Sequence, residues 1–224
     1  MYDTLLQLPL FQGLCEADFT SIIEKVKFHF HNYRSKEIIA HQNDPCNSLT
    51  FLLGGEVVAE TKQTDLKFTL SEVISSPAVI EPYNLFGMDV CYTSTYQARG
   101  KAKLLTIDKS YILTELNNYE IFRLNYLNLL SNRSQMAHKI LWNLKIGDIQ
   151  EKFLQFITIR CQNLTGQKTL YITMEDLSTN INETRINVSR LLNSLQEREL
   201  IQLKRKKIII PSLEKLLDDF GYQP

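Results

Sequence analysis

An α+β fold is predicted, with a β-rich N-terminal half, a long central helix and a C-terminal end in which short helices precede a β-hairpin. Three observations predict it. Short β-rich runs alternate with turn signals through the first hundred or so residues. Apolar residues at alternating spacings of three and four mark a helix between residues 109 and 145. Two short helical patterns joined by a tight turn then lead into two apolar runs around a basic tetrapeptide. The expected segments are 1–108, 109–146 and 147–224.

In the first segment the β-rich runs are Val26–Phe30, Glu37–Ala40, Leu49–Leu53, Glu56–Glu60, Phe68–Leu70 and Lys103–Ile107. Turn signals stand between them at Asn43-Asp44-Pro45, Gly54-Gly55, Ser75-Ser76-Pro77 and Glu81-Pro82. That cadence predicts an antiparallel sandwich or roll.

The helical stretch from about Lys109 to Lys145 carries Leu127, Leu130, Ser134, Ala137, Leu141 and Leu144 along one seam, suited to a partner helix. The small residues Ser134 and Ala137 in mid-seam allow close approach, and homodimerisation is expected there. Ile146-Gly147-Asp148 interrupts the helix, and Asp148 with Glu151 can cap a new one carrying Phe153, Phe156 and Ile157. An interdomain hinge is expected at this point.

Near the C-terminus Thr173 can cap a first short helix, with Asp176 three residues on, and Leu177 and Ile181 give it an inward face. Ser178 is small where two helices would cross, and Asn182 tolerates the left-handed backbone of a tight turn. Thr184 then caps a second helix whose Val188, Leu191, Leu192 and Leu195 face inward. Arg185, Asn187, Ser189 and Arg190 are left outside, as base and phosphate readers. Leu200–Leu203 and Ile208–Ile210 flank Lys204-Arg205-Lys206-Lys207, which reads as a hairpin with a basic tip. A reading helix followed by a basic hairpin is a winged helix-turn-helix, and double-stranded DNA is the expected partner, with Thr173 and Thr184 included among the contacts. An ordinary helical hairpin with a solvated charge run is the competing reading.

Whole-chain properties bound the rest. The 224 residues suffice for two domains, and a hydrophobic content of 44% supplies cores for both. Twenty-five basic residues balance twenty-five acidic ones, so a basic patch must be local. No leading signal peptide is read, because Gln7 and Pro9 break up Leu5, Leu6, Leu8, Leu10 and Phe11, and no run suits a membrane span. A cytoplasmic location is expected. Cys15, Cys46, Cys91 and Cys161 form no CxxC pair, so no metal site is expected. Neither a phosphate-cradling glycine loop nor HExxH nor GxSxG occurs, which argues against an enzyme.

The order and length of these parts resemble the Crp/Fnr superfamily of bacterial transcription regulators. The resemblance is carried by Leu8-Pro9-Leu10-Phe11-Gln12-Gly13-Leu14, by the run from Asp44 to Val57 with Gly54-Gly55, by Leu85-Phe86-Gly87, by Ile107-Asp108-Lys109, and by Thr184-Arg185 through Val188-Ser189-Arg190-Leu191-Leu192. It implies an N-terminal β-roll of the double-stranded β-helix, cupin-like kind that senses an effector, a long dimerisation helix and a DNA-binding end. It further implies a homodimer on a palindromic operator, with promoter DNA, RNA polymerase and a small effector as partners.

Departures from the family's cyclic-AMP pattern decide the expected signal. In cyclic-AMP binders Phe-Gly is followed by a glutamate for the ribose, and an arginine-serine pair neutralises the phosphate. Here Met88 follows Gly87, and Tyr96-Gln97-Ala98 stands where the arginine-serine-alanine would be. A buried phosphate without its cation is strongly disfavoured. The mid-helix hydroxyl pair that would touch adenine corresponds to Ala137-His138. Cyclic AMP is therefore not expected, and the effector pocket is assigned to Phe86, Met88, Tyr96, Ala137 and His138. Some family members sense gases, including nitrosative stress, through haem, and His29, His31, His41, Met88 and His138 could ligate it. Each is equally a plain surface or core residue, and a hydrophobic effector or none at all are parallel readings. A module that acts through protein contacts, keeping a vestigial reader, is the remaining alternative.

Overall fold

The computed structural model describes residues 6–142 and 147–221, with side chains given to residue 139 and again from 147. Contacts divide the chain into two units, residues 1–59 with 74–134 and residues 60–73 with 135–224.

The first unit begins with a buried apolar knot, since Leu8, Leu10 and Phe11 are fully enclosed. Phe11 meets Phe19 edge-on at 5.8 Å and lies 5.5 Å from both Phe51 and Phe122. These rings tie the N-terminal segment, the first helix α1 (Glu16–Lys25), a central strand and the long helix into one core. Strand β1 (His29–Tyr33) pairs with β8 (Ala102–Asp108), which pairs with β3 (Ser48–Gly54), which pairs with β6 (Ala78–Ile80), all antiparallel. The largely apolar β3 suits this place, because its Leu49, Phe51 and Leu52 are all buried. A second layer pairs β2 (Ile38–Ala40) with β7 (Thr95–Ala98), and β7 lies beside β4 (Glu56–Gln63), the partner of β5 (Phe68–Ser75). Between β3 and β4, Gly55 has φ +85°, and a Cβ there would lie 2.2 Å from the Lys101 carbonyl oxygen, so only glycine fits.

Two details differ from the sequence expectation. Val26 ends α1 and is buried, so the first strand starts three residues later than the β-rich run suggests, at His29. The central helix is also not continuous from Lys109. A short α2 (Lys109–Thr114) gives way to a 3-10 turn at Leu116–Asn118 before α3 (Glu120–Trp142) begins. The cause lies in the Asn117-Asn118 pair: the Asn118 side chain donates to the Thr114 carbonyl at 2.7 Å, taking an acceptor the next helical turn would use.

In the second unit α4 (Ile149–Thr158) opens on Asp148, which accepts from the amides of Gln150 and Glu151 at 2.9 and 3.0 Å, the expected cap. Then come β9 (Lys168–Tyr171), α5 (Met174–Asn180), α6 (Arg185–Glu197), β10 (Gln202–Lys204), β11 (Lys207–Ile210) and α7 (Leu213–Asp219). Strand β11 pairs with both β10 and β9. The far side of β9 pairs with the outer part of β5, aligning Thr69 with Tyr171 and Glu72 with Lys168.

The tip of the β4–β5 hairpin therefore belongs to the C-terminal unit rather than to the roll from which it springs. Alternation along β5 explains how it is held. Phe68, Leu70 and Glu72 point to one face and are all buried. Phe68 packs edge-on against Phe156 at 5.2 Å, with the Arg160 guanidinium 5.4 Å from Phe68 and 4.2 Å from Phe156. Glu72 accepts from Lys168 Nζ at 2.9 Å and from the backbone amides of Gln162 and Asn163.

Candidate nucleic-acid interface

Helix α5 opens on Thr173, whose Oγ1 accepts the Asp176 amide at 3.0 Å and donates in turn to the Asp176 carboxylate. Thr173 is thus committed to its cap and only half-exposed. Ser178 is buried at the crossing with α6. The turn passes through Asn182 at φ +51°, the left-handed residue the sequence places there. The Glu183 amide donates back to the Ser178 carbonyl at 2.9 Å.

Thr184 then caps α6 by accepting the Asn187 amide at 3.2 Å. Val188, Leu191, Leu192 and Leu195 are all buried, so the helix has one inward face and its orientation is fixed. Arg185, Ile186, Asn187 and Arg190 are exposed on the other side, with Ser189 half-buried. Glu183 organises the start of the helix. Its carboxylate accepts from Lys152 Nζ at 2.6 Å and from Asn187 Nδ2 at 3.4 Å, and the Lys152 bond chiefly holds its pKa below the ordinary glutamate value. The sequence reading had missed this tether between α4 and the reading helix.

Beyond α6 the β10–β11 hairpin turns at Arg205 and Lys206, the latter at φ +55°. Lys204, Arg205 and Lys206 are exposed, whereas Lys207 is half-buried with its ammonium 5.1 Å above the Tyr171 ring. Three cations therefore stand at the tip, and the fourth covers an aromatic face.

The residues assigned to the effector pocket do not share one environment. Phe86 is half-buried, edge-on to Tyr126 at 6.2 Å and beneath the Lys109 ammonium at 4.7 Å. Tyr96 is fully buried. Met88 is wholly exposed, and Ala137 and His138 are exposed on α3. Where the family's phosphate-binding pair would stand, Tyr96 donates its hydroxyl to Glu81 Oε1 at 2.7 Å. The buried Glu81 carboxylate also accepts from the Thr93 hydroxyl at 2.6 Å, the Thr93 amide at 2.8 Å and Asn84 Nδ2 at 2.6 Å. An internal carboxylate thus takes the hydrogen bonds of this corner. Beside it Tyr92 meets Tyr96 edge-on at 6.0 Å and contacts the Thr50 hydroxyl at 3.3 Å, and burial pushes the Tyr92 phenol up to about 12. Arg99 points to Glu56 on the surface, 3.4 Å away, and not into this corner.

The groups considered as haem ligands lie in separate local settings, with His29 half-buried. His29 lies 3.7 Å from Asp108, His31 contacts the Thr106 hydroxyl at 3.1 Å, and His31, His41, Met88 and His138 are all exposed. Among the described residues no group of three or more His, Cys, Asp or Glu is placed to hold a metal ion.

The family model of the cyclic nucleotide-binding domain matches residues 30–119, and that of the Crp-like helix-turn-helix domain matches residues 151–218. The chain belongs to the Crp/Fnr superfamily. As a member of that superfamily it is a sensor-controlled DNA-binding transcription regulator, and not an enzyme. The catabolite activator protein of Thermus thermophilus has a similar fold, at 19% identity and a TM-score of 0.55 over 96% of this chain and 100% of that one. So does the c-di-GMP-responsive global regulator CLP of Xanthomonas campestris, at 15% identity and a TM-score of 0.50 over 88% and 99%. No curated protein sequence matches the chain significantly. Among the described residues no helix is long and apolar enough to cross a membrane.

Proposed function

We propose that this regulator acts in the cytoplasm as a homodimer on a palindromic operator, contacts RNA polymerase there, and answers to a signal other than cyclic AMP. The observation that carries the DNA-reading assignment is the two-sidedness of α6. One face is fully buried, and the other offers Arg185, Asn187 and Arg190 to solvent within the same unit as the exposed cations of the wing. Arg185, Asn187, Ser189 and Arg190 serve the major groove, while Thr184, Lys204, Arg205 and Lys206 serve the backbone.

Dimerisation through α3 is supported by its surface. Ile121, Leu124, Leu127 and Met136 are exposed large apolar residues, and the small seam residues Ser134 and Ala137 are exposed with them. The side chain of Leu141 and the whole of Leu144, also assigned to the seam, lie outside the described residues. Two reading helices carried by a two-fold dimer fit half-sites one DNA turn apart, about 34 Å. The hinge at Gly147 is the place where a change in the sensory unit would alter that spacing.

The exclusion of cyclic AMP is supported by the Glu81 corner, where a nucleotide phosphate would meet a carboxylate in place of a guanidinium. Selection of duplexes from a random library by the full chain tests the whole reading. An inverted repeat is expected. Enrichment of an unrepeated site would remove the dimer, and no enrichment would remove specific reading.

A further inference from the structure

Ile186 is 64% exposed, the most exposed leucine or isoleucine among the described residues. It stands in the first turn of α6, between Arg185 and Asn187, and its neighbour Val188 is fully buried. One exposed isoleucine is ordinary in itself, but Ile186 shares the first turn of the proposed reading helix with Arg185, so it meets the DNA where Arg185 does and needs an apolar partner there. Base edges in the major groove supply one: they present donors and acceptors and a single kind of apolar group, the C5-methyl of thymine.

We propose that Ile186 is a specificity-determining residue that packs on the C5-methyl of a thymine in each half-site, beside the base pair contacted by Arg185. The assignment rests on the DNA-reading role of α6 proposed above and adds the base that one position selects. Isoleucine has no hydrogen-bonding atom in its side chain, so against cytosine it would bury the N4 amino donor unpaired, which is unfavourable. It therefore favours thymine and rejects cytosine with the same surface. Branching at Cβ restricts its χ1 rotamers, so little side-chain entropy is lost on contact.

The test uses the full chain and the best duplex from a random-library selection, with each thymine replaced singly by deoxyuridine. Removing one methyl should weaken binding about three- to fivefold at one position of the half-site and leave the others unchanged. Ile186→Ala, at an exposed position, should bind uracil and thymine duplexes alike there. Ile186→Glu should move the preferred base to cytosine, whose N4 amino group a carboxylate accepts. A protein that binds its duplex and tolerates uracil at every position overturns the proposal, as does an Ile186→Ala variant that keeps the full methyl dependence. Failure of the parent reading looks different, since then no duplex is selected at all, and Ile186 loses its role with it.

Discussion

Glu72 and Lys168 form an ion pair 2.9 Å apart in which each side chain is only 1% exposed. Glu72 sits on the β4–β5 hairpin and Lys168 on β9, in register across an antiparallel pair. Removing one partner of a buried pair strands the other charge, at a cost of about 3–5 kcal/mol. Lys168→Met and Glu72→Gln should each destabilise the chain by that order in denaturant unfolding. Glu72→Gln should cost more, because it also weakens the acceptor for the Gln162 and Asn163 amides. The double variant Glu72→Met/Lys168→Met should recover part of the loss. Single variants as stable as the parent would show that the pair contributes nothing.

Glu183 gives a pH dependence with a defined sign. Its folded pKa is lowered, first by the Lys152 hydrogen bond, so its contribution is present above the ordinary glutamate value and is lost as pH falls through the lowered one. Thermal unfolding of the parent should lose stability over that acid range more steeply than Glu183→Gln does. Identical profiles would contradict the assignment.

Arg185 and the wing should fail in different ways. On the proposed reading Arg185 holds a guanine bidentately, so Arg185→Ala is expected to cost about 1–3 kcal/mol at the specific site and to relax discrimination there. Alanine at Lys204, Arg205 or Lys206 should weaken all sequences alike and reduce the salt slope by about 0.9 per lost phosphate contact. Lys207→Ala should change the slope less, because its ammonium lies over Tyr171. Binding titrations at several salt concentrations separate the two patterns.

Leu127 is 52% exposed on α3 and supports no core of its own protomer. Leu127→Glu should leave the fold intact and bury a charge between helices on association, which is strongly unfavourable. Sedimentation is expected to show monomers with weakened binding to a palindrome. A dimeric Leu127→Glu protein would place the interface elsewhere.

On the proposed reading, cyclic AMP at millimolar concentration should give no calorimetric binding signal, since its phosphate would meet the hydrogen-bonded Glu81–Tyr96 pair. Micromolar affinity, about −8 kcal/mol, would refute the reading.

The caps and the turn of the reader were legible because they rest on local rules: Thr173, Asn182 and Thr184 each do what their residue type favours at that offset. The ends of the first strand and of α2 were not, because Val26 and Asn118 are decided by burial and by a side-chain competitor respectively. In the sensory unit the sequence named Tyr96 but read Glu81-Pro82 only as a turn, since a carboxylate's role as an internal acceptor depends on residues fifteen positions away. The same limit hid Glu72, which joins Lys168 across ninety-six residues, although Phe68, Leu70 and Glu72 carry the period of two that announces a buried face. Met88 was placed by motif position, and motif position does not report exposure.

The hairpin also governs how the molecule can be divided. The backbone passes from one unit to the other near residues 59, 73 and 134, so after a protease cut at the end of α3 the hairpin tip stays covalently joined to the N-terminal fragment while it packs in the C-terminal unit. A recombinant fragment starting at Gly147 would lack Phe68, Leu70 and Glu72, exposing the edge of β9 and leaving Lys168 without its carboxylate partner. Fragments intended for crystallisation or for DNA binding should therefore carry the hairpin tip, supplied as a second chain or grafted through a linker.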